Sequence, residues 1–184
     1  MSALPDGYWE IPGGEWGYGD RLLVWEASER RVYFALKGTP VAWRPPRVAY
    51  NPRVRRYVAY KPDDDPLRRY QEAVSPYLAL LSRKMPRPLG ERPLVASYLF
   101  VFPLPSNAAK RQAWTLKDTA PDLSNLSKAL EDCLQPNHRG KWTVRILSND
   151  ARIARYGHPD LPHAKIYGDR LSPGLVMVLL EEMG

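Results

Sequence analysis

The 184-residue sequence holds a single cysteine, Cys133, no low-complexity tract and no apolar run long enough to cross a bilayer. One thiol excludes an internal disulfide and leaves no thiolate cluster for structural zinc, which fits a reducing cytoplasm. No signal peptide and no membrane anchor is expected, so a membrane is not among the expected partners. Acidic residues are in deficit, with 20 Asp and Glu against 27 Lys and Arg. A net charge of +7 favours polyanions as partners through long-range attraction and counterion release.

An apolar share of 44% and a charged share of 26% are those of a globular chain large enough to bury one core. Residues 1–30 read as short strands broken by Pro-Gly-Gly and Gly-Asp turns, an aromatic β-hairpin appended to a main domain over residues 31–184. Its Trp9, Trp16, Tyr18 and Trp25 suit the edge of a core better than a platform for bases.

Arg31 to Leu36 reads as a strand and leads into a segment dominated by proline, arginine and aromatic residues. Prolines 40, 45, 46 and 52 keep this segment extended. Arg44, Arg47, Arg53, Arg55 and Arg56 alternate there with Trp43, Tyr50, Tyr57 and Tyr60, a pattern that suits a nucleic-acid backbone. Asp65 then caps a helix that opens at Pro66, with a kink or break expected at Pro76. The three aspartates 63–65 point in different directions and read as a capped turn rather than a metal cluster.

Leu94 to Phe102 is apolar throughout, as a central strand would be. A polar, basic stretch follows, with Lys110 and Arg111 placed to meet phosphates. Beyond a further helix, Trp142 to Leu147 alternates like a strand, and His163 to Tyr167 and Leu175 to Leu180 read as the last two. The order β, α, β, α, β, β implies an α/β (α+β) domain, a mixed β-sheet with helices packed mainly on one face.

The helix between those strands, within Pro121 to Leu134 (PDLSNLSKALEDCL), concentrates the chemistry. Leu123, Leu126, Leu130, Cys133 and Leu134 form its buried face, while Ser124, Lys128 and Asp132 stack at i, i+4 and i+8 along another edge. Asp122 stands just before the first turn. Asp122 and Asp150 suit a magnesium site and Lys128 suits a developing negative charge. The bland alternative is capping by Asp122 and an i, i+4 pair between Lys128 and Asp132.

These residues resemble the RusA-type Holliday junction resolvases. PDLSNLSKALEDCL followed by NDARI is similar to the family's Asp-x-Asp-Asn-Leu-x-Lys helix start and its later Asp-Asp-x-x-Ile/Val segment. GTPVAWRPPR resembles its early Gly-x-Pro-Val-x-x-x-Arg-Pro-Arg stretch, and Lys165 falls where a late strand of the family has a lysine. The resemblance spans roughly residues 32–182. It implies Asp122, Lys128 and Asp150 as catalytic residues, with Asp122 and Asp150 as metal ligands. Ser124 stands where the family has a second aspartate, and Asn149 where its Asp-Asp pair begins. Ser124 itself, Asp132 or Asp118 would then complete the ligand set.

What the resemblance implies is a magnesium-dependent endonuclease, with manganese as a substitute ion, encoded by a bacterium or phage. It would cut four-way DNA junctions by paired nicks, as a homodimer. Arg44, Arg47, Arg53, Arg55, Arg56, Lys110, Arg111 and Lys165 would contact the DNA. The alternative, prompted by Ser124, is a protein that binds junctions on the same fold and cuts them poorly or not at all.

Overall fold

The computed structural model describes residues 16–18, 21–44, 47–60, 65–106, 113–136, 143–168 and 174–184. Its centre is the strand β6, Leu94–Phe102, every residue of which is buried. Nine apolar or small residues in succession suit a strand covered on both faces. On one side β6 pairs antiparallel with β9 (Leu175–Glu182), and β9 with β3 (Arg31–Lys37). On the other side its first residues pair in parallel with β7 (Ile153–Tyr156) and its last with β8 (Ala164–Tyr167).

The hairpin of β1 (Trp16–Tyr18) and β2 (Leu22–Ala27) completes a seven-stranded mixed sheet through antiparallel pairing of β2 with β3. Leu22 and Val24 of β2 are wholly buried in the main core. Trp25 stacks on Tyr33 with ring centroids 4.6 Å apart, so it packs on the sheet, as expected of an aromatic at a core edge. Trp9 lies outside the described residues.

Two helices lie on one face. α1, Pro66–Lys84, begins as expected: Asp65 accepts a hydrogen bond from the Leu67 amide at 3.1 Å and Pro66 occupies the first turn. It runs through Pro76 without a break, because Val74 before it and Leu78 and Leu81 after it bury in the main core. α2, Leu123–Leu134, packs beside it with Leu126, Leu130, Cys133 and Leu134 in the same core. Trp114 and Leu161 help cover the opposite face.

The stretch expected as a strand over residues 142–147 is different. Residues 143–145 form no strand, and Leu147 makes only a single parallel bridge to Leu89. The alternation is real, since Val144 and Ile146 are buried, but they bury against the helices. The amides of Ile146 and Leu147 both donate to Leu134 O, at 3.1 and 3.0 Å, and so close the C-terminal end of α2.

A separate two-stranded ribbon, β4 (Arg47–Asn51) and β5 (Arg56–Tyr60), is built from the proline- and arginine-rich segment.

Candidate active site

α2 runs antiparallel to β6, so its N-terminus lies by the end of β6 at Phe102. Asp122 and Phe102 line the same cleft, about 580 Å³, with Trp43, Arg44 and Asn125. Asp122 is exposed and its carboxylate makes no capping bond to the helix. The capping half of the bland reading therefore does not apply.

The loop before Asp122 is held by two lysines. Lys165 Nζ donates to the carbonyl oxygens of Thr119 and Pro121, each at 2.7 Å. Lys117 Nζ donates to Thr119 O at 3.1 Å, to Thr119 Oγ1 at 2.6 Å and to Ala120 O. Three consecutive carbonyls thus accept from ammonium groups, and Thr119 Oγ1 also meets Tyr167 Oη at 3.0 Å. Such charge-assisted bonds fix the peptide units on which Asp122 stands. Lys165, expected at the DNA, spends these bonds on the protein's own backbone.

Lys128 is exposed, one and a half turns beyond Asp122. Its Nζ lies 5.9 Å from the ring centroid of Trp43, within cation–π reach, and the Trp43 amide donates to Asn125 O at 2.9 Å. The loop over Pro40–Arg44 is thereby pinned to the first turn of α2, where Ser124 is exposed. Arg44 forms part of the cleft wall. Arg53, Arg55 and Arg56 are exposed on the ribbon, and Arg47 opens β4. Lys110 and Arg111 lie outside the described residues.

Asp150 occupies a different place. It opens a short 3-10 turn, Asp150–Arg152, whose cap is Asn149: Asn149 Oδ1 accepts from the Ala151 amide at 2.9 Å. That turn precedes Ile153, the residue paired with Leu94 at the start of β6. The chain before it is tied through Leu147 to the C-terminal end of α2. Asp122 and Asp150 are therefore at opposite ends of the layer. The twelve residues of α2 span about 18 Å, and the nine of β6 span roughly 26–30 Å. Asp132, on the last turn, is at the Asp150 end. Among the described residues no three His, Cys, Asp or Glu side chains gather as ligands of one ion.

Between the two ends runs a buried polar seam. Glu131 is buried and accepts from Tyr156 Oη at 2.8 Å. Burial raises its pKa against that hydrogen bond, and the charges of Asp150 and Asp132 add to the rise. His163 Nδ1 accepts from the Tyr98 amide at 3.2 Å, and Nε2 lies 3.5 Å from Ser127 Oγ. Burial lowers the His163 pKa, so the ring is neutral. Glu131, Tyr156 and Lys117 carry no role in the sequence reading, and Trp43, read there as part of the nucleic-acid pattern, sits against Lys128. A glutamate next to Leu130 on a helix was the one visible signal, because its spacing puts it at the edge of the apolar face.

A family model described as Endodeoxyribonuclease RusA matches residues 42–174. The chain belongs to the RusA endodeoxyribonuclease family. No curated protein matches it. The RusA match takes in most of the cleft, α2, the Asp150 turn and the β4–β5 ribbon, and it leaves out β1, β2, β3 and the strand β9. Membership supports an endonuclease activity that resolves four-way (Holliday) DNA junctions. No described helix is long and apolar enough to cross a membrane.

Proposed function

We propose that the protein is a magnesium-dependent, structure-selective endonuclease that resolves four-way junctions by paired nicks, working as a homodimer. The observation that supports this most is Asp122, an exposed carboxylate that caps nothing, standing on a clamped loop beside a cleft and followed by Lys128. Magnesium takes few carboxylates and keeps waters, so an unengaged Asp122 with the Ser124 hydroxyl nearby fits one half of such a site. Asp150 and Asp132 lie toward the C-terminal end of α2, away from Asp122, and would fit the other half from a second copy. A two-fold dimer that docks the Asp122 end of one copy on the Asp150 end of the other makes two such sites, one for each nicked strand.

In each site the ion would supply positive charge to the scissile phosphate. The protein's own residues bind and orient. The Lys128 ammonium, with Trp43 against it, meets negative charge developing on the phosphate or leaving oxygen. Arg44, Arg53, Arg55 and Arg56 hold neighbouring phosphates and set the register of the DNA, and junction shape provides selectivity. Cleavage of a four-way junction in magnesium tests this: wild type nicks paired strands, and Asp122→Asn binds without nicking. Equal inactivity of both proteins would remove catalysis from the function.

Ser124 supports a second reading, a junction binder whose metal site has lost a carboxylate. It expects salt-sensitive junction binding without nicks, and cleavage restored by Ser124→Asp.

A further inference from the structure

The β4–β5 ribbon exposes apolar surface that nothing among the described residues covers. Val48, Tyr50, Val54 and Tyr57 are 64%, 54%, 51% and 74% exposed, on a ribbon separate from the main sheet. Register pairs Tyr50 with Tyr57 and Val48 with Ala59, which puts these four on one face. The tyrosine rings meet edge to face with centroids 5.6 Å apart, so each fixes the other's orientation. At the tip of the ribbon the exposed charges among the described residues are of one sign. Arg53 and Arg55 form the turn with Val54, and Arg56 opens β5, all exposed. Arg55 has φ of 48°, a left-handed conformation that glycine adopts at less cost.

We infer that this ribbon is a wedge for the branch point of the DNA, an inference that rests on the junction-nuclease reading. The Tyr50–Tyr57 face stacks on bases that have lost a neighbour where the arms meet, and the arginines at the tip hold the adjoining phosphates. Two observations favour this occupant over a second copy of the chain. An isologous contact through this face would bury the Arg53 and Arg55 turn of each copy against the other without a carboxylate on the ribbon to pair it, a cost that phosphates would instead neutralise. A flat aromatic face with guanidinium groups at one end also matches what an unstacked nucleotide offers, a π face beside a negative charge. Intact duplex hides its base faces, so the tyrosines add nothing there. The ribbon thereby contributes to the preference for branched over linear DNA.

The test uses the full chain in EDTA, with a four-way junction containing 2-aminopurine at the branch point and a linear duplex of matched sequence. Tyr50→Ser/Tyr57→Ser is expected to lose about tenfold or more in junction affinity and to hold duplex affinity within about twofold. It should also abolish the change in 2-aminopurine emission seen with wild type. Tyr50→Phe/Tyr57→Phe, which keeps the rings, should behave as wild type. A serine variant that binds junctions as tightly as wild type overturns the inference, as does an equal loss on junction and duplex. A serine variant that sediments as a monomer where wild type is a dimer assigns the face to a second copy and also overturns it. If wild type binds neither DNA, the nuclease reading falls together with the wedge. If the tyrosines discriminate junctions but magnesium produces no nicks, only the nuclease reading falls.

Discussion

Lys165 grips the peptide unit that delivers Asp122: its Nζ donates to Pro121 O at 2.7 Å and, at the same distance, to Thr119 O. A lysine that would suit a DNA phosphate thus fixes the base of the candidate catalytic loop. Positioning and DNA contact give different signatures. In Lys165→Met, positioning leaves the dependence of log affinity on log salt unchanged and lowers the cleavage rate by about tenfold or more. A salt slope smaller by about one, with cleavage intact, would return Lys165 to the DNA.

Glu131 gives a pH dependence whose sign is fixed by burial. Its folded pKa is raised, first by desolvation and then by Asp150 and Asp132, against the Tyr156 hydrogen bond. A carboxyl of this kind binds its proton more tightly in the folded state. Its stabilising effect is complete below the ordinary carboxylate range and is lost as pH rises through the folded value. Glu131→Gln removes the charge and is expected to raise stability near neutral pH, with the gain shrinking on acidification. Urea titrations across pH read this directly. A variant less stable than wild type near neutrality would show that the carboxylate, not the carboxylic acid, is needed.

The opposite sign holds for Glu182. Its side chain is fully buried, takes a bidentate bond from Arg87 at 3.0 and 2.8 Å, and accepts from the amides of Gly90 and Glu91. The Arg87 hydrogen bond first, helped by those amides, depresses its pKa to about 2. The pair therefore stabilises the fold above the ordinary carboxylate range, and the contribution disappears as pH falls toward about 2. Glu182→Gln is expected to cost about 2–3 kcal/mol at neutral pH in thermal or chemical unfolding. An unchanged midpoint would mean the pair contributes no net stability.

Much of this was legible in the sequence wherever local chemistry decides the structure. Asp65 and Pro66 mark the start of α1, nine buried residues mark β6, and the spacing of Leu123, Leu126, Leu130 and Leu134 marks the buried face of α2. The alternation from Trp142 to Leu147 was misleading because burial against helices and burial in a sheet leave the same pattern. Pro76 fits a continuous helix because packing on both sides of it outweighs one missing hydrogen bond. Long-range relations left no local trace. Neither the lysine clamp on residues 119–121 nor the separation of Asp122 from Asp150 follows from spacing, since both depend on the direction in which α2 crosses β6.

That separation makes the sharing of each active site between two copies the claim with most at stake. Asp122→Asn and Asp150→Asn proteins, each inactive alone, can be unfolded together, refolded as mixed dimers and assayed for nicking of a four-way junction in magnesium. If Asp122 of one copy works with Asp150 of the other, a mixed dimer has one intact site, and single-strand nicking returns in the mixture. If the mixture stays inactive while each variant co-refolded with wild type still nicks, the two aspartates do not combine across a dimer.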